Sequence, residues 1–191
     1  MSSPIVVTSA PAGELLTLDE AKRHLRLYSS DLDDEVTSLI RAARDYCERF
    51  AARTLRASTS RTIKLEKWWC DELELPYPPI LTVTSVTYYD TSNVSQTLSS
   101  SNYYVEISTD HGGCLEWVFN ATIPSLYTRE DAVTVTYTAG YADLTSIPPV
   151  AVQAMKCKLT ELWGAGTEGE TKAAREACDR LLSLVDWTGY A

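Results

Sequence analysis

TLDEAKRHLRLYSSDLDDEVTSLIRAARDYCERF, residues 17–50, is the stretch whose reading decides the fold. Thr17 and Glu20 have the spacing of a capping box, in which two side chains satisfy backbone N–H groups at a helix start. A short helix follows through Ala21, Lys22 and His24 to Arg26. Ser29 to Asp34 are polar, which favours a turn and a fresh N-cap. Val36, Leu39, Ile40, Ala43, Cys47 and Phe50 then recur at helical spacing and form one apolar stripe. The opposite face carries Arg41, Arg44, Asp45, Glu48 and Arg49. Capped helix, polar turn and long amphipathic helix together read as the start of an all-helical body.

Working outward, residues 1–14 hold Pro4, Pro11 and Gly13 around Ile5-Val6-Val7 and read as an extended arm. Beyond Phe50 the period changes from helix to strand. Arg61 to Lys67 alternates, with Ile63 and Leu65 on one side. Leu73 to Ile80 carries three prolines, which restrict it to a sheet edge or a rigid connection. Leu81 to Asp90 is rich in Val, Thr and Tyr. Its alternation slips between Val83 and Val86, which predicts a bulge. Asp90 to Asn93 is turn chemistry that lets Val94 to Leu98 pair back. Tyr103, Val105 and Ile107 alternate, Asp110-His111-Gly112-Gly113 turns, and Cys114 to Phe119 extends again. Val133, Val135 and Tyr137 alternate with Thr134, Thr136 and Thr138. Helix returns at Pro148-Pro149, since proline suits a first helical turn. Val152, Met155, Leu159, Leu162 and Trp163 share one arc. Gly164, Gly166 and Gly169 mark a flexible loop. A last helix buries Ala174, Ala177, Cys178, Leu181, Leu182 and Val185.

The predicted class is α+β: a four-helix bundle made by two N-terminal and two C-terminal helices, with an inserted antiparallel β-sheet domain. The expected divisions are an arm at 1–14, a helical body at 15–56 and 148–186, a β insert at 57–147, and a tail at 187–191.

Composition narrows the function. Hydrophobic residues make 45% and charged residues 23% of the 191, as in ordinary soluble domains. No apolar run is long enough for a bilayer, and no signal peptide is visible, so synthesis in the cytoplasm and no membrane partner are expected. The net charge of −9 is uneven: residues 57–149 hold eleven acidic and four basic residues, giving −7. That argues against gripping DNA, whose phosphates need Lys and Arg. It is compatible with a solvated face or with a surface past which DNA slides.

No catalytic constellation stands out. Cys47, Cys70, Cys114, Cys157 and Cys178 include no Cys-x-x-Cys pair, and Cys47 and Cys178 fall on apolar helix faces. His24 sits beside basic residues in the first helix, where a surface or cap role is expected. His111, with Asp110 and Cys114, is the one Cys/His group, but Asp-His-Gly-Gly is ordinary turn chemistry, and zinc wants about four ligands. Phosphate loops and the Gly-x-Ser-x-Gly elbow are absent from the sequence. Asp33, Asp34 and Glu35 fit the positive end of a helix dipole. Trp68, Trp69, Tyr77, Tyr88, Tyr89, Tyr103 and Tyr104 lack interleaved basic residues, so core and interface roles fit better than base stacking. An enzyme is the weaker class; no cofactor and no metal are expected.

Four stretches taken together resemble the head–tail connector (adaptor) proteins of long-tailed bacteriophages and prophages. They are Leu16 to Arg26 with its acidic turn; Ala42-Ala43-Arg44-Asp45-Tyr46-Cys47-Glu48; Leu73 to Ile80 leading into Val83 to Asp90; and Val133 to Tyr141 followed by Ile147-Pro148-Pro149. The resemblance runs from about Leu15 to Val185 and departs at Gly113-Cys114-Leu115, at the Gly164–Glu170 loop and at the terminal tail. It implies a structural virion protein at the neck. Such proteins form a ring, usually of twelve copies, beneath the portal; the ring extends the DNA channel and gives the next neck or stopper protein a platform. DNA would pass without sequence-specific binding. Asp186, Trp187, Thr188 and Tyr190 become candidate portal contacts, and Arg41, Arg44, Asp45, Glu48 and Arg49 a candidate ring interface. The alternatives are another neck or tail-completion protein, a Cys/His enzyme, or a carbohydrate-binding module.

Overall fold

The computed structural model describes residues 6–7, 11, 13–57, 59–108 and 112–185. The described chain divides into a helical unit, within Gly13–Arg56 and Tyr141–Ala191, and a β unit, within Met1–Ala12 and Ala57–Gly140. The class is α+β, with helices and inserted antiparallel sheets.

In the helical unit, α1 spans Leu18–Leu25 and begins as the Thr17 and Glu20 pattern requires. The Glu20 N–H donates to Thr17 Oγ1 at 3.2 Å, and the Thr17 N–H donates to Glu20 Oε2 at 2.9 Å. Arg26 ends the helix in the left-handed region, with φ of 59°. Helix α2, Asp33–Phe50, buries Val36, Ile40, Ala43 and Cys47, while Leu39 packs at the edge of the same core. Phe50, expected in the stripe, lies at the rim and stacks on Tyr46.

Helix α3 spans Pro149–Trp163 and turns a different arc inward from the one expected. Met155 and Leu159 are buried as predicted, but Leu162 is an exposed residue and Val152 and Trp163 only flank the core. Ala151, Ala154 and Lys158 complete the buried face instead. Alanine is too small to weigh heavily in a pattern of large apolar residues, yet it lets a neighbouring helix approach. The Gly164–Gly169 stretch also differs from a flexible loop. Gly164 caps α3 with φ of 65°, a conformation that favours glycine. Thr167 and Glu170 then form a second capping box, which starts α4 at Glu168–Leu182. Cys178 and Leu182 of α4 are buried beside α2 residues in the same core.

Among the described residues the β unit contains two antiparallel sheets. One has the order β1-β2-β8-β4-β5, with β1 Val6–Val7, β2 Thr59–Leu65, β4 Ile80–Tyr89, β5 Ser95–Thr97 and β8 Val133–Ala139. The other has the order β3-β7-β6, with β3 Glu72–Leu75, β6 Tyr103–Ser108 and β7 Gly112–Trp117. Strand β8 is central: Val133, Val135, Tyr137 and Ala139 are buried while the threonines between them are half-buried. This is the period-2 reading made physical. The register of β4 on β8 shifts between Ile80 and Thr82 and between Val83 and Ser85, which accounts for the slip in the sequence. The proline-rich stretch supplies β3 at a sheet edge. Val6–Val7, read as part of an arm, pairs with β2. Gly113 is required by packing, because a Cβ there would lie 3.0 Å from Ile80 Cγ1 and 3.1 Å from the Glu106 carbonyl.

Candidate assembly surfaces

The charged face of α2 is not one uniform surface. Arg44 Nε donates to Glu14 Oε2 at 2.7 Å and Arg44 Nη1 to Glu48 Oε2 at 3.0 Å. Glu48 is 9% exposed, and its Oε1 accepts the Leu55 N–H at 2.9 Å. Burial favours the neutral form of Arg44, but Glu14 and Glu48 outweigh it and raise the pKa. These two members of the expected interface therefore tie the segments before and after α2 to the helix itself. Arg41, Asp45 and Arg49 remain exposed, with Arg49 Nε 2.9 Å from Asp45 Oδ2. The helix period alone cannot separate these groups, because Glu14 and Leu55 come from outside the helix.

A second polar group was not legible in the sequence reading. Lys158 is 7% exposed; its Nζ lies 3.4 Å from the Tyr46 ring centre and donates to Glu161 Oε2 at 2.9 Å. Arg175 Nε donates to Glu161 Oε1 at 2.7 Å, and Tyr46 Oη donates to Asp179 Oδ1 at 2.7 Å. Burial pushes the Glu161 carboxyl up, but the hydrogen bonds from Lys158 and Arg175 outweigh it and hold the group below its ordinary value. Burial and Asp179 push the Tyr46 phenol up. The available signal was a lysine three residues after Met155, inside the apolar arc. His24 is a further tie: its Nε2 lies 2.9 Å from Thr160 Oγ1 and 3.1 Å from the Lys156 carbonyl.

Asp110 and His111 lie outside the described residues, as do Asp186, Trp187, Thr188 and Tyr190. Cys114 is described. Burial and Glu116 push its thiol up, away from the thiolate that nucleophilic attack needs. With Glu72 and Glu116 it forms a group whose ligand atoms lie within 4.8 Å of one another. Hard carboxylates and a soft thiol make a poorly matched donor set, and facing acids are ordinary on a solvated sheet. Cys47 and Cys178 are both buried, and the hydrogen bond between them together with burial raises Cys47. Trp68, Trp69 and Trp117 pack on one another: Trp69 stacks on Trp117 at 4.5 Å, and Trp68 meets both edge-on. Those ring contacts favour a core role over a base- or sugar-stacking platform. Among the described residues no helix is long and apolar enough to cross a membrane.

Comparison with protein families matches residues 14–165 to the family described as head completion protein. A search of curated proteins finds no match. Among solved structures, the fold is similar to a chain from the neck of an empty gene transfer agent particle computed with C6 symmetry. The TM-score is 0.77 at 23% identity, covering 96% of this chain and 95% of that one. It is also similar to a chain in the neck of the native particle computed with C12 symmetry, with a TM-score of 0.69 at 22% identity, covering 93% and 94%.

Proposed function

The chain belongs to the head completion protein family, a family of structural virion proteins and not of enzymes, and from that premise we propose that it forms a ring at the virion neck. The ring sits beneath the portal, extends the DNA channel and gives the next neck protein its platform. The observation that carries the reading is the family match over residues 14–165, which spans α1 through α3 and strands β2 to β8. The likeness of fold over nearly the full chain to chains in necks of gene transfer agent particles, computed with C6 and C12 symmetry, supports a ring. Charge supports it as well. A net charge of −9 disfavours a tight grip on phosphates, which suits a channel through which DNA passes. In a closed ring each subunit offers two different faces. Arg41, Asp45 and Arg49 are proposed for one of them, and the tail with Asp186, Trp187, Thr188 and Tyr190 for the portal.

Electron cryo-microscopy of DNA-filled particles with and without the protein tests this. A ring beneath the portal is expected only when the protein is present. Identical necks in both samples would refute it, and density elsewhere in the neck would favour a different tail-completion role.

A further inference from the structure

The connection from 118 to 132, between β7 and β8, has no regular structure of its own. It reaches the length, about 12–15 residues, beyond which ordered loops are usually functional. It is nonetheless held along its length. The Val118 N–H donates to the Asn102 carbonyl at 3.1 Å, and the Thr122 N–H donates to Asn102 Oδ1 at 3.2 Å. Trp68 Nε1 donates to the Pro124 carbonyl at 2.8 Å, and the Tyr127 N–H to the Tyr89 carbonyl at 3.0 Å. Arg129 lies over the Tyr89 ring at 3.8 Å and donates to Asn93 Oδ1 at 3.2 Å. Leu126 packs on the β core. Asn120 takes φ of 61°, which turns the backbone between the first two anchors.

Two large apolar side chains lie between these anchors and face solvent. Phe119 is 93% exposed and Ile123 is 50% exposed. A floppy loop could carry such residues without consequence. A fastened one holds the backbone that carries them in place, which lowers the entropy cost of docking. Fixed aromatic residues are the common anchors of protein interfaces. The surroundings select the partner. Two residues before Phe119, Trp117 lines an open hollow of about 640 Å³ with Cys70, Asp71, Glu72 and Glu116. Residues 57–149 carry −7; of their four basic residues Arg61 is buried, Lys64 and Arg129 pair with Asp131, and Lys67 is exposed. DNA is repelled by such a surface, whereas a basic protein rim is attracted.

We propose that Phe119, with Ile123 four residues further along the same connection, is the anchor by which this protein engages a second, different neck polypeptide, one that offers an apolar pocket rimmed by Lys or Arg. This rests on the neck reading above and names the docking site on the platform.

The test places a photoreactive benzophenone amino acid at position 119 of the full chain, in DNA-filled particles. Illumination should join this protein to a different neck polypeptide, within an apolar stretch flanked by Lys or Arg. Joining to another copy of the same chain, joining to DNA, or no joining at all would overturn the proposal. In parallel, Phe119→Ala should leave the melting temperature and the protein's own place in the neck unchanged. It should weaken attachment of the next component by about 30-fold or more, with Ile123→Ala milder. Normal attachment in both Phe119→Ala and Phe119→Asp particles would refute the anchor while leaving the neck reading intact. Wild-type necks that lack this protein would remove both.

Discussion

The helical unit takes charge into its packed interior, whereas the β unit keeps its charge almost wholly outside. Glu48, Lys158 and Glu161 are enclosed among helices and satisfied by Arg44, Leu55, Tyr46 and Arg175. The β core is built from Ile63, Leu75, Val86, Leu115, Val133 and Val135, and Glu72, Glu74, Glu106 and Glu116 alternate away from it. Arg61 is the exception, buried with its guanidinium 4.5 Å from the Tyr77 ring. The difference follows from how each architecture specifies its register. A one-residue slip in a sheet turns every apolar side chain to solvent, so alternation is sufficient. A helix stripe tolerates rotation and sliding better, and a buried pair that must find its partner can specify the arrangement. Lys158 and Glu161 are the pair placed to act in this way in the helical unit.

The largest expected effect breaks the helical side outright. Ile40→Asp places an unpaired carboxylate in the core and should abolish the far-ultraviolet circular dichroism transition of the helices. A soluble product with a normal helical spectrum and melting temperature would contradict the buried stripe.

Next, Glu161→Gln strands Lys158 and should cost about 3–5 kcal/mol in denaturant unfolding, while replacing both residues by Met and Leu should recover most of it. A double variant as unstable as the single one would show that the pair contributes net stability. The same carboxyl predicts a pH dependence. Its folded pKa lies below the ordinary 4.5, so the unfolded chain binds its proton more readily. The stabilisation is present above 4.5 and is lost as pH falls through the folded value. Melting temperatures measured from pH 6 to pH 3 should fall less steeply in Glu161→Gln than in the native protein.

On the β side, Gly113→Ala should cost about 1–3 kcal/mol, because Ile80 and the Glu106 carbonyl must give way. Near-ultraviolet circular dichroism of the stacked Trp69 and Trp117 should report that loss. A smaller effect is expected at a helix start: Thr17→Ala removes the acceptor for the Glu20 N–H and should cost about 1 kcal/mol by thermal melting. An unchanged melting temperature would mean that tertiary packing alone holds α1.

Legibility in the sequence followed the same division. The α1 capping box, the α2 stripe, the bulge in β4 and the alternation of β8 were all readable, because each depends on neighbours a few residues away. The face of α3 was misjudged, since Ala151 and Ala154 gain importance only from what packs against them. The second capping box, at Thr167 and Glu170, was hidden among glycines that suggested a loop. Of the five α2 residues proposed for the ring interface, two are tied up within the subunit.

The chain by itself determined where helices start, which strands alternate, and that the segment from 57 to 149 is acidic. Those properties are set by capping, side-chain period and composition, all of which act locally or by simple sum. The tertiary structure decided which charges are satisfied inside. It brought Glu14 to Arg44, Lys158 to Tyr46 and Asn102 to the 118–132 connection. Those partners lie many residues apart, and only packing places them within hydrogen-bond reach.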